Sequence, residues 1–134
     1  MHAPLLLLLM MASALGLVEP QQPGAMPEPL RIEALIDAVA RLPDATFVRN
    51  GKAHTAKEAA SHLRLKWKNA GTRVRSAEDF IQVCASASSL TGRPYRIRFA
   101  DGREVDTADY LRGELRRIDA AAKAVRPAPA SSPG

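Results

Sequence analysis

Apolar residues follow a helical spacing over most of the chain between residues 30 and 120, and give way twice to strand-like alternation. Ile32, Leu35, Ile36 and Val39 make one stripe of a helix that opens at Leu30 and ends just after Leu42, where Pro43 stops it. Ala45 to Arg49 reads as a short strand anchored by Phe47. Asn50-Gly51 turns it back into Lys52–His54, because both residues tolerate the positive φ of a type I′ turn. So short a hairpin must pack on a helix to persist. Thr55 then caps a helix, with Glu58 three residues on as its capping-box partner. Ala59, Leu63 and Trp67 stack on the face meant for the core, and Gly71 is the stop. Val74, isolated between Arg73 and Arg75, is a candidate for a short strand.

Ser76 caps the next helix, with Asp79 as a weaker box partner. Phe80, Ile81, Cys84 and Ala87 form its stripe, and Ser88 to Gly92 makes a polar loop. Tyr95, Ile97 and Phe99 alternate with Arg96 and Arg98, as in a half-buried strand with a basic outer face. Asp101-Gly102 turns it into Arg103–Val105. Asp106 or Thr107 caps a last helix with Tyr110, Leu111, Leu115 and Ile118 on its stripe. The class is α+β: one small domain of about four helices packed on two short antiparallel β-hairpins. The halves echo one another loosely, each running from hairpin turn to capping residue to helix, without aligning well enough to be a repeat.

Outside that domain, 30–120, the pattern changes. Leu5 to Met11 is a short apolar run followed by Ala12-Ser13-Ala14, as in a secretory signal, assigned to 1–16. It falls short of the roughly 20 apolar residues that span a bilayer, so no transmembrane segment is expected after cleavage. Prolines at 20, 23, 27 and 29 make 17–29 an extended linker, and the Pro-, Ala- and Ser-rich 121–134 a disordered tail. Export implies an oxidising compartment. Cys84 is the single cysteine, so no internal disulfide forms and the core alone holds the fold.

The formal charge of +5 is uneven. Residues 48–103 carry twelve basic and four acidic side chains, net +8, whereas 19–47 are net −3 and 104–134 neutral. Either the excess solubilises one face or it meets an anionic partner. With three Phe, two Tyr and one Trp, most on apolar stripes, the chain lacks stacking platforms for single-stranded nucleic acid, and no nucleic-acid partner is expected.

Arg49-Asn50-Gly51, His54 and Glu58-Ala59-Ala60-Ser61-His62-Leu63-Arg64 together resemble a family of small exported bacterial proteins. So do Ala77-Glu78-Asp79-Phe80-Ile81 and Ser88-Ser89-Leu90-Thr91-Gly92-Arg93-Pro94-Tyr95. The family is the YfeK-like one, a domain of unknown function, and the resemblance covers about residues 30 to 118. It implies a periplasmic location in a Gram-negative cell and a shared fold. It implies no activity, cofactor or metal.

Two functional readings follow. The first is a non-enzymatic binding module, with Arg49, Asn50, His62, Arg64, Ser88, Ser89, Arg93, Arg96 and Arg98 as candidate binding residues for an anionic envelope component or a periplasmic protein. Arginine suits it because its planar fork matches carboxylate or phosphate. The second is a small hydrolase or metal-dependent enzyme using His54, Glu58 and His62 with Ser88 or Ser89. Two His and a Glu are zinc-type ligands. However, Glu58 already has a capping role, and no Gly-x-Ser-x-Gly elbow surrounds the serines. The weight falls on binding, with no catalytic residue and no cofactor assigned.

Overall fold

The computed structural model describes residues 26–125. The expected signal (1–16), most of the linker (17–29) and residues 126–134 of the tail lie outside the described residues. Helix α1 (Glu28–Ala40) begins before Leu30, with Pro29 in its first turn. Proline is tolerated there because first-turn amides have no intrahelical acceptor. Ile32, Leu35, Ile36 and Val39 are buried as the spacing requires. Each contributes about 1.5–3 kcal/mol by leaving water.

Strands β1 (Thr46–Arg49) and β2 (Lys52–His54) form the first hairpin. Asn50 and Gly51 sit at φ 51° and 75°, the pair of positive values that the turn demands. Strands β3 (Arg96–Arg98) and β4 (Glu104–Asp106) form the second. The hairpins are not separate. β1 pairs antiparallel with β3, Phe47 opposite Ile97, and one four-stranded sheet results in the order β2-β1-β3-β4. Each hairpin puts its first strand at the centre and its return strand at an edge. Each edge strand then runs into a helix, α2 (Ala56–Ala70) after β2 and α4 (Thr107–Val125) after β4. The echo between the halves is therefore topological. α4 also continues past residue 120, so the first residues expected in the tail are helical.

Local signals decide the helix starts. In α2 the capping box is complete, with the Glu58 amide donating to Thr55 Oγ1 and the Thr55 amide to Glu58 Oε2, both at 3.1 Å. At Ser76 the box is half formed. Ser76 Oγ accepts from the Asp79 amide at 3.0 Å, but the Asp79 carboxylate takes the Arg75 amide instead of that of Ser76. Helix α3 (Ala77–Phe80) then widens into a π-helical turn, Ile81–Ala85, in place of the regular helix expected. The Ser86 hydroxyl donates to the Ile81 carbonyl at 2.8 Å, occupying an acceptor that a regular helix reserves for an amide. Val74 is buried, but it follows a 3₁₀ turn (Gly71–Arg73) and belongs to no strand.

The core lies where α1, α2, α4 and the π turn meet the inner face of the sheet, around Leu35, Phe80, Ile97 and Leu111. On α2 the buried residues are Ala60, Leu63 and Ala70, so the stripe is rotated from the expected one and leaves Ala59 and Trp67 only partly covered. Cys84 is buried, and burial pushes its thiol pKa up. No helix among the described residues is long and apolar enough to cross a membrane.

One polar node braces the helices. The Arg31 side chain, 14% exposed, binds both Asp119 carboxylate oxygens on α4, at 2.8 and 3.0 Å, and Glu28 at 2.8 Å. Glu28 Oε2 in turn accepts the Ala77 amide at 2.8 Å, holding the start of α3. Removing Arg31 takes the shared counter-charge from Glu28 and Asp119, whose side chains are 39% and 46% exposed. Arg31→Met should destabilise the fold by about 1–3 kcal/mol. Arg112→Met breaks only an exposed pair with Asp109 and should cost about 0.5 kcal/mol or less. Thermal or urea unfolding separates the two; equal losses would show that the node carries no special weight.

Candidate functional site

Side chains alternate across a strand, so Phe47 and Arg49 share the face of the sheet that looks toward the helices, with His54, Tyr95 and Ile97. Extending both ladders one residue past β3 places Arg49 opposite Tyr95 and Tyr95 opposite Thr107. The Thr107 amide donates to the Tyr95 carbonyl at 2.8 Å, as that register requires. This row forms the floor of a pocket of about 230 Å³. Phe47, Val48 and His54 extend the floor, Arg96 reaches it from β3, and Glu58, Ala59, His62 and Leu63 of α2 make the wall.

The polar groups in it are unequally satisfied. Arg49 Nη1 lies 3.0 and 2.9 Å from the two ring nitrogens of His62. A nitrogen equally near both lies against the ring rather than along one lone pair. A guanidinium held against the ring repels an imidazolium, so the contact favours neutral His62. Burial first, and then the charges of Arg49, Lys66 and His54, hold the His62 pKa below its ordinary 6.5. The His62 ring meets Tyr95 edge-on at 6.2 Å, and the Tyr95 hydroxyl accepts from Lys66 Nζ at 3.0 Å. Among the described residues Arg49 has no carboxylate at ion-pair distance. His54 Nδ1 is 3.4 Å from Glu58 Oε2. Its Nε2 and the Thr107 hydroxyl are buried without a hydrogen-bond partner.

Of the nine binding residues expected from the sequence, Arg49 and His62 come together in this pocket, and Arg96 borders it from β3 while its side chain pairs with Asp106 on the outer face. The others do not. Arg64 crosses to α1, binding Glu33 at 2.6 Å and lying 3.6 Å from Asp37. Arg98 pairs with its cross-strand partner Glu104 at 3.0 Å, and Arg96 with Asp106 at 2.7 Å. The basic outer face of β3 is thus neutralised, contrary to expectation, by acids the hairpin itself supplies. Asn50 donates to Ser88 Oγ at 3.1 Å and accepts from Thr91 Oγ1 at 2.6 Å, tying the first turn to the Ser88–Gly92 loop. Arg93 and Ser89 are exposed on that loop.

The catalytic alternative is brought together only in part: His54, Glu58 and His62 line the pocket, but the serines do not. Glu58 turns back to its helix start, and among the described residues no group of three or more His, Cys, Asp and Glu is placed to hold a metal ion. Ser88 Oγ accepts from Asn50 and from the Leu90 amide, and neither serine lines the pocket that holds His54 and His62. Sequence reasoning missed Tyr95 and Thr107 as site residues. The alternation of Tyr95 with Ile97 would have found the first; the second needs the β3–β4 register.

Protonation of His62 is harder in the fold than in the unfolded chain, so the unfolded state binds more protons just below pH 6.5. Stability should therefore fall as pH drops through that value and level off once folded His62 is itself protonated. NMR titration should place the His62 midpoint below 6.5, and Arg49→Ala should move it up. A midpoint unmoved by Arg49→Ala would mean that the guanidinium does not hold the ring neutral.

Comparison with known proteins agrees with this architecture's single unit. Residues 27–119 match the model of a family described as of unknown function (DUF5329). Over 68 residues the chain is 54% identical to a protein of Salmonella typhimurium named "Uncharacterized protein YfeK", covering 51% of this chain and 57% of that one. The chain thus spans little more than half the length of that relative. No solved structure matches. Residues 27–119 contain every strand, helices α1 to α3 and the whole pocket, and the chain belongs to this family of unknown function.

Proposed function

We propose that this protein is a non-enzymatic binding module of the bacterial periplasm, exported by a cleaved signal, and that it receives an anionic group at Arg49. The observation that carries the reading is the contrast between arginines. Arg64, Arg96 and Arg98 have carboxylate partners, whereas Arg49 stands in a pocket beside a neutral histidine with no carboxylate at ion-pair distance among the described residues. A partly desolvated guanidinium without a counter-charge is a place where an incoming carboxylate or phosphate gains charge-assisted hydrogen bonds. The anionic ligand is an envelope component or a group on a periplasmic partner. Export is supported by the apolar run Leu5–Met11 with Ala12-Ser13-Ala14 behind it.

Titration of the purified protein with anionic envelope extracts should give binding that Arg49→Ala weakens about tenfold to hundredfold, the worth of hydrogen bonds to a charged group. Arg98→Ala, which removes an already neutralised charge, should leave it nearly unchanged. Equal losses in the two variants would mean nonspecific attraction to net positive charge. Separately, cell fractionation should find the protein in the periplasm with its mature start near residue 17. Recovery with Met1 intact in the cytoplasm would remove the envelope from the proposal.

A further inference from the structure

What a ligand can touch in the pocket is narrower than its lining. His54 Nε2 and Thr107 Oγ1, which could read hydroxyls, are buried out of reach of anything entering. The other polar groups are engaged within the protein. A Glu58 oxygen accepts the Thr55 amide and lies 3.4 Å from His54, and the Tyr95 hydroxyl is held by Lys66 Nζ at 3.0 Å. Both ring nitrogens of His62 are covered by Arg49. Two kinds of surface remain. One is the Arg49 guanidinium, which has no carboxylate at ion-pair distance among the described residues. The other is apolar, from Phe47, Ala59, Leu63 and the Tyr95 ring.

That combination selects a chemistry. A hydroxyl-rich body would leave water there and find no partners in exchange. A bare inorganic anion would use Arg49 and leave the apolar walls without contact. An anion on a hydrocarbon body uses both, with charge-assisted hydrogen bonds at its head and apolar surface removed from water along its tail. Only Arg49 Nη1 lies against His62, so the Nε–Nη2 edge of its planar fork, the edge that matches a carboxylate, is not engaged by the ring. Arg96, which also borders the pocket, is paired with Asp106, so a single negative charge is matched there. The volume of about 230 Å³ is that of roughly seven or eight waters, room for a molecule of about as many non-hydrogen atoms, the size of hexanoate.

We propose that the pocket binds a monocarboxylate with a short hydrocarbon body, its carboxylate on Arg49 and its body between the sheet residues Phe47 and Tyr95 and the α2 residues Ala59 and Leu63. This rests on the reading of Arg49 as the anion receptor and adds the apolar body.

The test is calorimetric and NMR titration of the full mature chain with acetate, butanoate, hexanoate, decanoate, 1-hexanol and D-glucuronate. A methylene moved from water into apolar contact tightens binding by up to about fourfold. Affinity should therefore climb from acetate through butanoate to hexanoate, by about tenfold or more in all, and level off by decanoate, whose tail outruns the pocket. Glucuronate should bind no more tightly than acetate. 1-Hexanol, and hexanoate with Arg49→Ala, should bind about tenfold to a hundredfold more weakly than hexanoate does to the unsubstituted chain. Hexanoate should shift the ring resonances of His62 and Tyr95. Ala59→Leu grows into the cavity from a helical position that leucine suits, so the fold should persist while the gain of hexanoate over acetate is lost. The chain-length series in the unsubstituted chain stands without that variant. Hexanoate no tighter than acetate, glucuronate as tight as hexanoate, a rise that continues to decanoate, or folded Ala59→Leu with its hexanoate binding intact overturns the short apolar body and leaves the anion receptor standing. Hexanol binding as well as hexanoate, or full hexanoate binding with Arg49→Ala, overturns both. No binding by any of the acids overturns the monocarboxylate alone, because the envelope-extract titration tests Arg49 independently.

Discussion

The β1–β3 ladder is the interaction on which the rest depends. It is short, pairing Thr46, Phe47 and Val48 with Arg98, Ile97 and Arg96. Neither hairpin has strands long enough to be stable alone. Joined, they form a four-stranded sheet with one apolar face, on which the helices can bury their stripes. The ladder also fixes the pocket. A one-residue slip would turn Arg49 and Tyr95 away from α2 and send Val48 and Arg96 inward. Because Phe47 and Ile97 are both buried on the inner face, that slip would expose two core side chains, so core packing and the position of the site are set by the same constraint.

Folding also qualifies the meaning of the charge pattern. A segment with net +8 looks like an open basic surface while it is only a segment. In the folded chain three of its eight arginines meet acids from the two flanks. Arg64 of α2 reaches Glu33 and Asp37 of α1, and Arg96 and Arg98 face Asp106 and Glu104 across the second hairpin. These pairs are mostly exposed and contribute little to stability. Their effect is to remove most of the named arginines as free anion receptors and leave Arg49 standing out.

What was legible in the sequence was local. Asn50-Gly51, the Thr55–Glu58 box and the α1 stripe each depend on residues within one turn, and each formed as the sequence indicated. The fold class followed from their order. The single sheet did not, because strand pairing across some fifty residues leaves no mark in a three-residue strand. The π turn was missed for a related reason: the apolar spacing of Phe80, Ile81 and Cys84 suits a regular helix, and the Ser86 hydroxyl that bonds the Ile81 carbonyl leaves no mark in that spacing. Within the site, Arg49 and His62 could be named as candidates, but their contact spans hairpin and helix and rests on the same pairing.

Thr107 shows how the same local pattern can end in a different arrangement. Asp106-Thr107-Ala108 repeats the pattern of His54-Thr55-Ala56, and both threonines stand where an edge strand gives way to a helix. Thr55 uses its hydroxyl to accept the Glu58 amide. Thr107 does not; it is itself the first residue of α4, and its hydroxyl is buried without a partner. His54 and Asp106 differ in the same sense. Asp106 neutralises Arg96 on the outer face, while His54, directed inward, is steered by the Glu58 carboxylate that completes the other cap. The two hairpin–helix units thus share a topology and divide the work. In the first, the carboxylate that completes the helix cap also lies beside a histidine; in the second, the hydroxyl at the equivalent place is buried and caps nothing.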